Sequence, residues 1–194
     1  MITYRIIAPL IALILLFASC SDDPASVDTE GPGESELITR VTLELEELDA
    51  QENPTGNVFT VVWEDADGPG GEDPTVQVLE LTSGTNYSGS IELLDTTDDP
   101  PEDITEEVEE EDEEHQFFYE FRGNGIEFER LDTDGNGFKL GLDFRVEVES
   151  DATDGDLNVT LLHFEDAEKN SDEFPSDQTG IDTDVDIEFP VILN

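Results

Sequence analysis

Apolar residues alternate with polar ones along most of the chain. Leu37, Thr39, Val41, Leu43 and Leu45 fall on one side of a period-two pattern, and Phe59, Val61 and Trp63 on one side of the next. Tyr87, Ile91 and Leu93 follow, then Phe117, Tyr119 and Phe121, and Ile126 with Phe128. The longest run is Phe138, Leu140, Leu142, Phe144, Val146 and Val148, interleaved with Lys139, Asp143, Arg145 and Glu147. Leu157, Val159 and Leu161 repeat the pattern, as do Val185, Ile187, Phe189, Val191 and Leu193. Alternation of this kind predicts strands with one buried and one wet face. Val76, Val78, Leu79 and Leu81 change phase midway, which predicts a bulge. About eight or nine short strands separated by acid- and glycine-rich turns predict an all-β fold, an antiparallel immunoglobulin-like sandwich.

One stretch breaks the alternation. Asp103–Glu114 follows Pro100 and Pro101, and Asp103 with Glu106 matches a capping box. Ile104 and Val108 are four apart and would dock one face of a helix. Residues 102–114 hold ten acids and no base. Carboxylates four apart repel, and those in the last turn oppose the helix dipole. The expectation is one short acidic helix.

The first 35 residues read differently. Ile6 to Phe17 form an apolar run after Arg5, and Ala18 and Ser19 lead into Cys20, the only cysteine. The run is too short to span a bilayer comfortably and has the size of a signal-peptide core. Small residues before a cysteine suit lipid attachment at Cys20 followed by cleavage. The expected organisation is a signal peptide over 1–19, a lipidated cysteine and flexible acidic tether over 20–35, and a sandwich over 36–194. Pro24, Gly31, Pro32 and Gly33 break any element in the tether. As a coil it would set the domain about 20 Å from its lipid.

Charge narrows the partners. Without Arg5, 52 acids face six bases, a formal charge of −46. Self-repulsion of this size destabilises a compact state in dilute buffer and is relieved by salt, so the composition reads as halophilic. It excludes nucleic acid as a partner and direct adsorption to anionic lipid. The bilayer is met through acylated Cys20 alone.

Ser21-Asp22-Asp23 after Cys20 resembles the acidic tag that directs lipoproteins of Bacteroidetes-type bacteria to the outer cell face. Leu37-Ile38-Thr39-Arg40-Val41-Thr42-Leu43, Asp103-Ile104-Thr105-Glu106-Glu107-Val108 and Glu114-His115-Gln116-Phe117-Phe118 resemble blocks of a recurring set of small lipoproteins from that group. Some of that set carry the label type 1 periplasmic binding fold. That label implies two α/β lobes, whereas the periodicity here predicts strands. The resemblance implies an outer-membrane lipoprotein facing the cell exterior. It would serve as a binding or accessory module, beside an outer-membrane protein such as a nutrient-uptake receptor. The alternatives are a metal-capturing lipoprotein and a structural envelope protein.

Two constellations carry candidate chemistry. Asp132, Asp134, Asn136 and Asp143 place oxygens at positions one, three, five and twelve of a loop with Gly137 at position six, much of a calcium-loop pattern. The last ligand is Asp rather than Glu and the flanks read as strands. The competing reading is a hairpin turn rich in Asp, Asn and Gly. His115 and His163 are the only histidines. Each continues an apolar strand face, so each belongs at the margin of the core. With Glu114 or Glu165 they could hold zinc or copper, provided that they converge. Asp65, Asp67 and Glu72 form a second acidic loop. Asp95-Thr96-Thr97 resembles an O-glycan acceptor of the same bacteria. Catalytic motifs are absent: the sequence has no Gly-x-Ser-x-Gly, no phosphate loop and no His-Glu-x-x-His, so a non-enzymatic role is expected.

Overall fold

A computed structural model describes residues 36–97, 99–165 and 167–194. The expectations for the signal peptide, for Cys20 and for the tether fall outside these residues. The described chain is an all-β sandwich of two sheets with one short helix.

The first sheet contains β1 (Arg40–Leu48), β2 (Pro54–Glu64), β3 (Thr75–Val76), β5 (Tyr87–Asp95), β6 (Glu102–Asp103), β8 (Ile126–Arg130) and β9 (Asp143–Val148), in the order β3-β2-β1-β5-β9-β8 with β6 beside β5. The second contains β4 (Leu79–Leu81), β7 (His115–Arg122), β10 (Gly155–His163) and β11 (Asp182–Leu193), in the order β4-β11-β10-β7. Every pairing is antiparallel except that of β4 with β11. Eight strands have five residues or more, as the alternation predicted, and β3, β4 and β6 are stubs of two or three.

Alternation becomes a core because the inward residues of both sheets meet. Val41, Leu43, Leu45, Leu93 and Phe144 from the first sheet and Phe117, Leu157, Val159, Leu161 and Phe189 from the second are fully buried. Fully burying a side chain of this size stabilises the fold by about 1.5–3 kcal/mol each, before entropy is counted. Helix α1 (Ile104–Glu110) buries Ile104 and Val108 as its spacing required. Asp103 is its N-cap, but the carboxylate accepts from Thr105 N rather than from Glu106.

Three local expectations are corrected. The phase change at Val76–Leu81 is not a bulge: β3 pairs with β2 and β4 with β11, so the chain changes sheets there. Leu37 is not on the inner face. It is exposed, and inward alternation starts at Thr39. The long period-two run is not one strand. β9 begins at Asp143, while Leu140 O accepts from Phe117 N of one sheet and Leu142 O from Ile91 N of the other. Between them Gly141 has φ +100°, and its carbonyl accepts from the Tyr119 hydroxyl at 2.7 Å. The segment bridges the two sheets at their margin, and both leucines are still buried.

Candidate metal centre

His115 and His163 converge. The pairing of β7 with β10 sets Phe117 opposite Leu161 and His115 directly opposite His163. Both side chains point inward at the end of the sandwich, and their rings stack with centroids 4.5 Å apart. Both are essentially fully buried.

Two carboxylates join them. Glu36 comes from the coil before β1. Asp184 comes from β11, at an irregularity in its pairing with β10. Leu161 faces Val185, but Leu162 already faces Thr183, so Asp184 is the extra residue of a β-bulge. Regular alternation from Val185 and Ile187 would turn Asp184 to solvent. The bulge re-aims it inward, a use of bulges familiar at binding sites. The Asp184 carboxylate is fully buried and that of Glu36 nearly so.

Glu36, His115, His163 and Asp184 each offer a ligand atom, and the four atoms lie within 4.8 Å of one another. His115 Nε2 is 3.3 Å from Glu36 Oε1 and 3.8 Å from Asp184 Oδ2. His163 Nδ1 is 3.8 Å from Glu36 Oε2 and 4.0 Å from Asp184 Oδ2. Three of these separations are too long for hydrogen bonds. All four lie near or somewhat above about 3.3 Å, the edge of a tetrahedron whose metal bonds are ~2.0–2.1 Å. Glu36 Oε2, His115 Nε2 and both oxygens of Asp184 have no hydrogen-bond partner despite burial. Orphaned buried polar atoms are uncommon and call for a reason, and four in one place point to a shared one.

His115 Nδ1 lies 3.1 Å from the Glu111 carbonyl. A carbonyl only accepts, so Nδ1 carries the hydrogen and the neutral ring turns its Nε2 lone pair to the carboxylates. Fixing the tautomer through the other nitrogen is the usual second contact of a ligating histidine. Titration reflects the crowding. Burial and the Glu36 charge push Asp184 up to about 7. Burial works to raise Glu36 as well, but the facing His115 and His163 rings outweigh it and leave it below the ordinary value. Burial would depress His115, yet the Glu36 carboxylate outweighs that and its pKa is raised. Without an ion the cluster holds its charge in check with protons. A divalent ion would neutralise both carboxylates together. Two imidazoles with two carboxylates suit zinc and its first-row neighbours, while hard calcium and magnesium favour oxygen alone.

The sequence pointed to the two histidines with Glu114 or Glu165, of which Glu114 lies beside His163, but not to Glu36 or Asp184. Glu36 lies in coil, where periodicity says nothing. Asp184 stood on the wrong side of its strand until the bulge is known.

The loop proposed for calcium does other work. Asp132 Oδ1 accepts from Gly141 N and Oδ2 from Leu142 N. Asp134 Oδ1 accepts from Asn136 N and Phe138 N, and its Oδ2 meets the Lys169 ammonium at 2.7 Å. Asn136 is exposed at the turn, and Asp143 starts β9. Among the described residues the three carboxylates do not gather around a common point. These contacts are those of a turn closed by side-chain caps, with the Lys169 ammonium as the cation beside Asp134. Asp67 likewise accepts from Glu72 N and shapes its own turn. Thr96 pairs its hydroxyl with Thr39, and Thr97 donates to Asp95.

No protein-family model, curated protein or solved structure matches this chain.

Proposed function

We propose that this protein is a non-enzymatic transition-metal-capturing domain. It would hold one zinc-class divalent ion between Glu36, His115, His163 and Asp184, and Cys20 would anchor it by lipid at the outer face of an outer membrane. The observation that carries the metal reading is the convergence of four buried side chains, three of which, Glu36, His115 and Asp184, present atoms with no hydrogen-bond partner. Four protein ligands complete a tetrahedral shell, and closed shells hold metal, whereas catalytic zinc keeps a position open. The anchoring rests on the apolar run, the small residues before Cys20 and the acidic residues after it.

The ion would also tie Glu36, just ahead of the first sheet, to three ligands of the second. The test is zinc titration of the full chain in high salt with excess magnesium, which suppresses weak binding to the 52 acids. At least one tight equivalent is expected. His115→Ala with His163→Ala should abolish that tight phase and spare the weak background. Identical titrations of the two proteins would reduce the histidines to core packing and end the proposal.

A further inference from the structure

The His163 ring presents its two nitrogens to two different acidic groups. Nδ1 faces Glu36 and Asp184. Nε2 faces the end of α1, where Glu111 and Glu114 complete a second set of ligand atoms within 4.8 Å of one another. Nε2 lies 3.7 Å from Glu114 Oε2 and has no hydrogen-bond partner, although the His163 side chain is only 2% exposed. That distance is again beyond a hydrogen bond and close to a metal-shell edge of about 3.3 Å. The backbone holds the set in place. Glu111 caps α1, Glu114 N donates to Glu111 O at 2.9 Å, and Phe164 N, next to His163, donates to Glu114 O at 2.7 Å.

We propose that Glu111, Glu114 and His163 form a second divalent transition-metal site, and that the His163 imidazolate bridges it to the inner ion. This rests on the metal-capture reading above. With the inner ion on Nδ1, the neutral ring keeps its hydrogen on Nε2. Binding the outer ion breaks that N–H bond, forms a nitrogen–metal bond and releases one proton to solvent, with no change of oxidation state. The inner ion, drawing charge from the ring, makes that proton easier to lose. The outer site has three protein ligands and Glu114 is about half exposed. Its remaining position is therefore open to solvent, and the outer ion is the one that exchanges.

The experiment uses copper(II) with the full chain carrying Cys20→Ser, so that no thiol competes, in high salt with excess magnesium. Bound copper per chain is counted, and the paramagnetic signal is integrated after each equivalent. Two tight ions per chain are expected, with one proton released on the second. The integrated signal should fall below its one-equivalent value as the bridged spins couple. Glu111→Gln with Glu114→Gln should lower the count from two to one and keep the first signal. A wild-type chain that stops at one ion overturns the second site and leaves the inner one standing. A second signal that simply adds to the first overturns the bridge. Loss of all tight binding would sink both readings together.

Discussion

Lys169 and Asp134 form an ion pair at 2.7 Å, with both side chains essentially inaccessible to solvent. The same ammonium donates to Asp112 O at 2.7 Å and to His115 O at 2.6 Å. It therefore joins the segment after β10 to the Asp134 turn and to the strand end that bears a metal-facing histidine. In a chain with two lysines among 52 acids, one is spent entirely inside the fold. The pair and the Asp134 hydrogen bonds from Phe138 and Asn136 outweigh burial and hold that carboxyl below its ordinary value.

Breaking this pair from one side should be costly. Asp134→Ala leaves a buried ammonium with only carbonyl partners, and about 3 kcal/mol should be lost, as for other buried pairs cut singly. Lys169→Met with Asp134→Leu removes both charges and should cost clearly less than the two single losses combined. Denaturant unfolding in high salt measures all of these. Calcium should shift the midpoint no more than magnesium at equal ionic strength, because Lys169 already serves the Asp134 carboxylate. A calcium-specific gain lost in Asp134→Ala would restore the cation-loop reading.

Salt should raise stability. Arg40 pairs with Glu64, Arg122 with Glu188, and Arg145 with Glu52 and Glu147. Seven bases cannot neutralise 52 acids. Screening falls to a Debye length of ~3 Å at 1 M salt, and folding then concentrates far less repulsion. The thermal midpoint should climb steadily from about 0.05 to 2 M KCl, over which the Debye length shortens severalfold. A flat profile would mean that the acids are already compensated within the fold.

Period two made the layers legible, because a strand with one wet face records its burial in its own sequence. Topology was not recorded. Nothing local says that Val76 and Leu79 join different sheets, or that a bulge turns Asp184 inward. The histidines were found because each ends an apolar face, but their meeting depends on the register of β7 against β10, which sequence spacing does not encode. The run through Phe138–Val148 misled for a related reason. Leu140 and Leu142 are buried by a segment crossing between sheets, and burial alone repeats the strand signature. Gly141 was the one local hint.

Gly141 therefore separates the two descriptions. At φ +100° an L side chain is strained, and a Cβ there would stand 2.9 Å from Phe117 Cβ and 2.9 Å from Arg130 Cδ. Gly137, at φ +91°, has open space around it. Gly141→Ala should cost about 2–3 kcal/mol and Gly137→Ala about 1 kcal/mol, since only the first adds a clash to backbone strain. Equal losses by denaturant unfolding would show that the crossing is not packed as described.

Proton binding should oppose metal binding in a direction the cluster fixes. Asp184 is raised from 3.8 to about 7, so between those values the unfolded chain ionises while the folded chain keeps its proton. The folded state then binds more protons, and stability falls as pH rises through that window. His115, raised above 6.5, adds to this: its contribution is complete below 6.5 and is lost as pH climbs through its folded value. Glu36, lowered from 4.5, acts oppositely, and its contribution is lost only as pH falls through its folded value. The metal-free chain, held in chelator at constant high salt, should thus melt progressively lower from about pH 5.5 to pH 8. Asp184→Asn should flatten most of that decline. Zinc should reverse it, because ligation needs the deprotonated groups and the ion's stabilisation grows as protons leave. A wild-type midpoint that ignores pH in chelator, or a zinc shift that shrinks as pH rises, would show that these four side chains neither share protons nor exchange them for an ion.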